Sequence, residues 1–208
     1  MTSGYTLYGR PGSGSLVVQA ALEEAGAPYE RVWVGQEPAE LEQFRAVNPT
    51  GRVPALMLPD GTVMFESAAM LIYIAEMHPD AGLAPAAGAA ARAKFLQWIV
   101  YLSANVYESV LRIYYSARYS AKGDVDADAI RAQGVEHYLA HLELVGRTLA
   151  PYVLGRDFSL ADLYLYMLVG WFPGEKADLW SRVPELEKHA ERIAARPSVR
   201  KAESDHAQ

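Results

Sequence analysis

Cysteine is absent from all 208 residues. That excludes disulfides, thiolate metal sites and any redox or nucleophilic chemistry run by a sulfur of this chain. Basic runs are lacking too. Nineteen Lys and Arg stand against 25 Asp and Glu, for a formal net charge of -6. Phosphate backbones need clustered positive charge, so nucleic acid is not an expected partner. No stretch of about 18 residues is free of charges, so no transmembrane helix is expected and no membrane partner. Met1 to Tyr5 lacks the charged start and apolar centre of a signal peptide. A soluble protein in a reducing cytoplasm is the expectation. With 51% hydrophobic and 21% charged residues, the composition is that of an ordinary globular chain.

Strand and helix signals alternate at first. Tyr5–Tyr8 is short and aromatic and stops at Gly9-Arg10-Pro11-Gly12-Ser13-Gly14. Leu16, Val17, Ala20, Ala21 and Leu22 form a helical stripe that Gly26 and Pro28 end. Tyr29–Val34 reads as a strand, and Pro38 with Glu40 opens a short helix. Val53–Leu58 and Thr62–Phe65 flank the turn Pro59-Asp60-Gly61, the pattern of an antiparallel hairpin. Ser67–Met77 is a helix. The segment 79–89, rich in Ala, Gly and Pro, reads as a linker. Beyond it strand signals stop, and helices are expected over 91–119, 127–149, 160–169 and 184–196. The chain thus divides into a mixed α/β domain, 1–78, and an all-helical domain, 90–208.

Three motifs carry chemistry. In Asn48-Pro49-Thr50-Gly51-Arg52-Val53-Pro54, Pro54 stands at a strand start. Only X-Pro bonds adopt cis at low cost. A cis bond there would turn the N–H and C=O of Val53 outward, to pair strand-fashion with a peptide-like ligand. Next, Glu66-Ser67 joins a strand to a helix. Ser67 and the free N–H groups of the first turn suit a carboxylate, and Glu66 suits an ammonium group. Together they fit an α-amino acid head. Third, the loop Arg10–Ser15 sets serines at a helix N-terminus, where a bound thiolate would be stabilised. The dinucleotide pattern G-x-G-x-x-G fails because Val17 holds the third place.

Together these motifs resemble the glutathione transferase family over nearly the whole chain, in particular its bacterial, serine-type members, with some likeness to the beta and theta classes. The resemblance implies a thioredoxin-like N-terminal domain followed by an all-α one. It implies Glu66 and Ser67 at the γ-glutamyl group, Val53 and Pro54 at the cysteinyl backbone, and Arg52 towards the far end of the tripeptide. Pro11-Gly12-Ser13 points to Ser13 as the thiolate's donor. An alignment to cysteine-type classes sets their cysteine at Gly14 and points to Ser15 instead. Tyr8 resembles the tyrosine type less well. The acceptor would lie against Arg10 and the first long helix, with Tyr107, Leu111, Tyr114 and Tyr115.

Phe158-Ser159-Leu160-Ala161-Asp162 looks like the family's buried capping box, which is structural. The implied reaction is conjugation of glutathione, the co-substrate, to an apolar electrophile by a homodimer, with a role in detoxification. Other glutathione chemistry (peroxide reduction, ether cleavage, isomerisation) and a non-catalytic binding module stand as alternatives. No metal is expected. His137 and His141 lack a third ligand, and Asp124, Asp126 and Asp128 lack the glycine and late Glu of a calcium loop.

Overall fold

A computed structural model of the chain describes residues 4–121 and 123–207. The order is β1 (Tyr5–Gly9), α1 (Ser15–Glu24), β2 (Tyr29–Trp33), α2 (Pro38–Arg45), β3 (Ala55–Met57), β4 (Val63–Phe65) and α3 (Ser67–Met77). Helices follow: α4 (Ala90–Tyr101), α5 (Glu108–Tyr114), α6 (Ala127–Gly146), α7 (Leu160–Gly170), α8 (Lys176–Arg182), α9 (Pro184–Ala194) and α10 (Pro197–His206). This is a thioredoxin-like α/β fold followed by helices, as the sequence leads one to expect.

The strands form one sheet in the order β2-β1-β3-β4. β1 runs parallel to β2 and antiparallel to β3, and β3 is antiparallel to β4. Successive strand residues face opposite sides. Tyr8 and Ala55 therefore join Phe44 of α2 in a small cluster with Val34. Leu7 and Leu56, both fully buried, turn to the face that α1 and α3 cover.

The chain forms two compact units, residues 1–88 with 194–208, and residues 89–193. The last segment, expected within the helical domain up to residue 208, thus belongs with the α/β unit. Pro197 reads in sequence as the end of a helix. In the fold it takes the first turn of α10 instead, where its missing N–H costs nothing. α10 lies along α1. The Arg196 guanidinium grips Glu24 with two hydrogen bonds of 2.6 and 2.7 Å, and Gln19 Nε2 donates to Asp205 at 2.6 Å.

His206 in α10 is only 8% exposed, and neither ring nitrogen has a hydrogen-bond partner. Its ring stands edge-on to Trp33 at 4.9 Å. Burial, then the Arg31 charge, push its pKa down to about 4, against an opposing pull from Asp205. The unfolded chain takes up this proton near pH ~6.5, while the folded chain does not until about pH 4. Stability is therefore expected to fall as pH drops through that window, by about 2 kcal/mol between roughly pH 6.5 and 5.

Burial raises Glu24 and Asp205, but it is outweighed by Arg196 and Ser198 for Glu24 and by Gln19 and Arg31 for Asp205. Both carboxylates end below the usual range, so their losses come at lower pH. His141, lowered by burial and by His137, slopes the same way as His206. Denaturant titrations of wild type and His206→Phe across the window isolate His206: the variant's slope is expected to be markedly flatter.

In the helical unit, the stretch expected as one helix over 91–119 changes character. A π-helical segment, Leu102–Tyr107, joins α4 to α5, and a short 3-10 turn, Ser116–Tyr119, follows. Buried Trp98, Leu102, Val106 and Val110 recur at every fourth residue. Each such step would drift about 40° on an ideal α-helix, and the wider π turn keeps them on one side. Gly134 of α6 lets the helix lie close to α5, since a Cβ there would stand 3.1 Å from Arg112 Cβ.

Asp162 organises the start of α7. It is fully buried. Its Oδ2 accepts the Ser159 N–H at 2.8 Å, completing the capping box. Its Oδ1 accepts the Val153 N–H at 2.8 Å and lies 3.0 Å from His189 Nε2. Among the described residues no helix is long and apolar enough to cross a membrane, and no group of three or more His, Asp or Glu is arranged to hold a metal.

Candidate functional site

The sheet register gathers the three motifs. Tyr8 pairs with Ala55, and Ala55 with Phe65. Because neighbours alternate in direction, the end of β1, the start of β3 and the end of β4 share one edge. The loop Arg10–Gly14 leaves the first, Val53-Pro54 enters the second, and Glu66-Ser67 leaves the third. Strands lie about 4.8 Å apart, so the three points span roughly 10 Å, the reach of about three extended residues. The N-termini of α1 and α3 both open at this edge and bring the positive ends of their dipoles to it.

Glu66 is exposed and takes φ 72° and ψ 104°, the one positive φ outside glycine among the described residues. A side chain costs energy there, and such strain concentrates at ligand sites. Ser67, 8% exposed, is the first residue of α3. The Val53–Pro54 bond is cis, as is Ala150–Pro151, which nothing in the sequence singled out. Val53 packs its side chain against the Val34, Phe44 and Ala55 cluster. Arg52 is exposed.

The serines differ sharply. Ser15 is fully buried. Its Oγ accepts the Arg10 N–H at 3.1 Å and lies 3.2 Å from the Arg10 carbonyl. Gly9 makes the room, since a Cβ there would stand 2.5 Å from that oxygen. Ser13 is half-buried. Its hydroxyl donates to the Arg10 carbonyl at 2.7 Å, lies 2.9 Å from Ser15 Oγ and accepts the Ser15 N–H at 3.3 Å. Tyr8 stacks at a tilt on Phe44, 5.8 Å between ring centres, within the cluster under α2. The Arg10 guanidinium donates to the carbonyls of Val34 and Gly35 at 3.2 and 3.0 Å. It fastens the loop to the end of β2.

On the helical unit, Tyr107 and Tyr114 converge on Trp171. The Tyr107 ring meets it edge-on at 5.3 Å, and the Tyr114 hydroxyl donates to its carbonyl at 3.0 Å. Tyr115 instead lies under the Arg118 guanidinium at 4.0 Å, and Leu111 is half-buried. Trp171 went unnoticed in the sequence because a single aromatic after a helix carries no spacing signal. His141 Nδ1 lies 2.6 Å from the Tyr101 hydroxyl.

Residues 15–77 match the family model of the glutathione S-transferase N-terminal domain, and residues 104–204 that of the C-terminal domain. Glutathione S-transferase GstA of Escherichia coli O157:H7 is 29% identical over 204 residues, covering 94% of this chain and 96% of that one. A glutathione transferase homologue from Sulfitobacter, solved with bound glutathione, superposes with a TM-score of 0.87 at 33% identity, over 97% of this chain and 98% of its own. A sphingomonad glutathione S-transferase complexed with glutathione gives 0.80 at 33% identity, with the same coverage. With both domain models matched in order and solved relatives aligned nearly end to end, the chain belongs to the glutathione S-transferase family.

Proposed function

We propose that this protein binds glutathione along the shared edge of β1, β3 and β4 and activates its thiol for attack on an apolar electrophilic carbon. The observation that carries the reading is the register that brings Ser13, Val53 and Glu66-Ser67 to one edge across a tripeptide's length. Glu66 accepts from the α-ammonium group. Ser67 and the first N–H groups of α3 take the α-carboxylate. The Val53 backbone pairs with the cysteinyl residue in the manner of an added strand. Arg52, exposed beside it, takes the glycine carboxylate.

Ser13 donates to the thiolate. To do so its proton turns away from the Arg10 carbonyl, and Ser15, 3.2 Å from the same carbonyl, takes over that bond. The oxygen of Ser13 still receives the Ser15 N–H, which sharpens its hydroxyl as a donor. Ser15 is closed from the surface and supports the loop. The bound thiolate then forms the C–S bond as the leaving group departs from the acceptor carbon, with proximity supplying much of the rate.

Calorimetric titration with glutathione tests the binding step. Wild type is expected to bind, and Ser67→Ala to bind about tenfold or more weakly, since a hydrogen bond to a charged group contributes roughly 1.5–3 kcal/mol. Absence of binding by the wild type would end the reading. Rates with an aryl halide, an organic hydroperoxide and an aryl ether then separate conjugation from other glutathione chemistry. Binding without turnover on any of them would leave a binding module.

A further inference from the structure

We infer that Asn48 is a positioning residue for glutathione: it aims the Val53 N–H at the ligand by holding the carbonyl of Arg52. The inference rests on the proposed pairing of Val53 with the cysteinyl backbone. Asn48 has no exposed surface, an unusual setting for a carboxamide unless its groups are paired. Its Nδ2 donates to Arg52 O at 2.7 Å. Its Oδ1 accepts the Thr50 N–H at 3.1 Å and the Thr50 hydroxyl at 3.0 Å. The opposite amide orientation would set an NH2 group against the Thr50 N–H, so the direction of the bond to Arg52 follows.

The backbone of Asn48 is fastened as well. Its N–H donates to Phe44 O at the end of α2, and its carbonyl accepts the Gly51 N–H at 2.8 Å. Gly51 closes that turn at φ 65°, where other residues are strained.

The consequence lies in the next peptide. The Arg52–Val53 bond is trans, and in a planar trans peptide the C=O and N–H point to opposite sides. Drawing the Arg52 carbonyl towards the buried Asn48 therefore sends the Val53 N–H away from it. The Val53 side chain, packed in the cluster with Phe44 and Ala55, keeps the residue from rotating about its own axis. A flipped plane would bring the N–H towards Asn48, whose side-chain oxygen is already taken by Thr50 and whose carbonyl is taken by Gly51. The donor is thus set before any ligand arrives, which lowers the ordering cost of binding.

Amide hydrogen exchange and chemical shifts of Val53 test this in the whole protein. In ligand-free wild type the Val53 amide is expected to exchange quickly and to slow when glutathione is added. Asn48→Asp keeps the acceptor for Thr50 but replaces the donor to Arg52 with an oxygen that favours the flipped plane. It is expected to protect the Val53 amide without ligand and to raise the glutathione Kd at least tenfold. The acceptor KM at saturating glutathione should change less than twofold. Thr50→Val, which leaves the Asn48 bond to the Arg52 carbonyl and removes only the hydroxyl's contacts with Asn48 Oδ1 and the Arg52 N–H, should keep the Kd within about twofold.

A protected Val53 amide in free wild type would overturn the inference whether or not any variant folds. So would a Kd that follows thermal stability alike in Asn48→Asp and Thr50→Val, with Val53 still responding to saturating glutathione in both. If wild type binds no glutathione, the proposed function fails by itself, and the free-state exchange of Val53 still decides which way the peptide faces.

Discussion

Ser13→Ala is expected to keep glutathione bound but to lose the ultraviolet band of its thiolate at neutral pH, with conjugation about 100-fold slower. A free thiol ionises near pH ~8.5, and holding it about two units lower takes roughly 2.7 kcal/mol. A charge-assisted hydrogen bond contributes about 1.5–3 kcal/mol of this, and the N-terminus of α1 adds up to roughly 1 kcal/mol. Removing the hydroxyl leaves only the smaller part. Binding is spared because Val53, before β3, and Glu66 and Ser67, between β4 and α3, lie outside the loop that carries Ser13.

Ser15→Ala is expected to behave differently. It strips the Arg10 N–H of its acceptor at a fully buried position, which costs about 1–3 kcal/mol of stability, and the thiolate band should weaken without vanishing. Difference spectra and melting curves of both variants decide the matter. If Ser15→Ala alone abolished the band with its melting temperature unchanged, the donor would be Ser15.

Asp162→Ala is expected to cost about 3–5 kcal/mol, the largest loss for any single side chain considered, because it breaks a buried network on four sides. The carboxylate accepts from the N–H of Ser159 and of Val153, lies 3.2 Å from the Ser159 hydroxyl and 3.0 Å from His189 Nε2. All these partners are buried, so truncation strands several donors out of reach of water. Asp162→Asn keeps the shape and one acceptor oxygen and should recover part of the loss. Urea unfolding of the three proteins gives the numbers. A cost of Asp162→Ala below about 1 kcal/mol would mean the network is not the element that holds the start of α7.

The capping box behind that prediction is visible in sequence because it is local. Ser159 and Asp162 are three residues apart, and a helix start constrains both. The same holds for Glu66-Ser67 and for Val53-Pro54, whose chemistry depends on immediate neighbours. α10 was missed for the opposite reason. Its residues are mostly polar, and Pro197 reads as the end of the helix before it. Contacts across more than 170 positions, such as those of Arg196 with Glu24 and of Asp205 with Gln19, make it the first turn of a further helix instead. The π-helical turn left a trace in the fourfold spacing from Trp98 to Val110, which an α-helical stripe tolerates poorly.

The sequence by itself determined the fold class, the absence of protein sulfur chemistry and the short motifs that suit an amino acid head and a peptide backbone. These follow from composition, period and caps, all of which act within a few residues. Which serine faces outward was settled by tertiary structure, because Ser13 and Ser15 differ only in how Gly9 and Arg10 enclose one of them. The gathering of three distant motifs on one edge likewise came from strand register, which pairs Tyr8 with Ala55 and Ala55 with Phe65. Asn48 shows the same division: its motif was plain in the chain, but its hold on the Arg52 carbonyl exists only once the loop has closed around a buried amide.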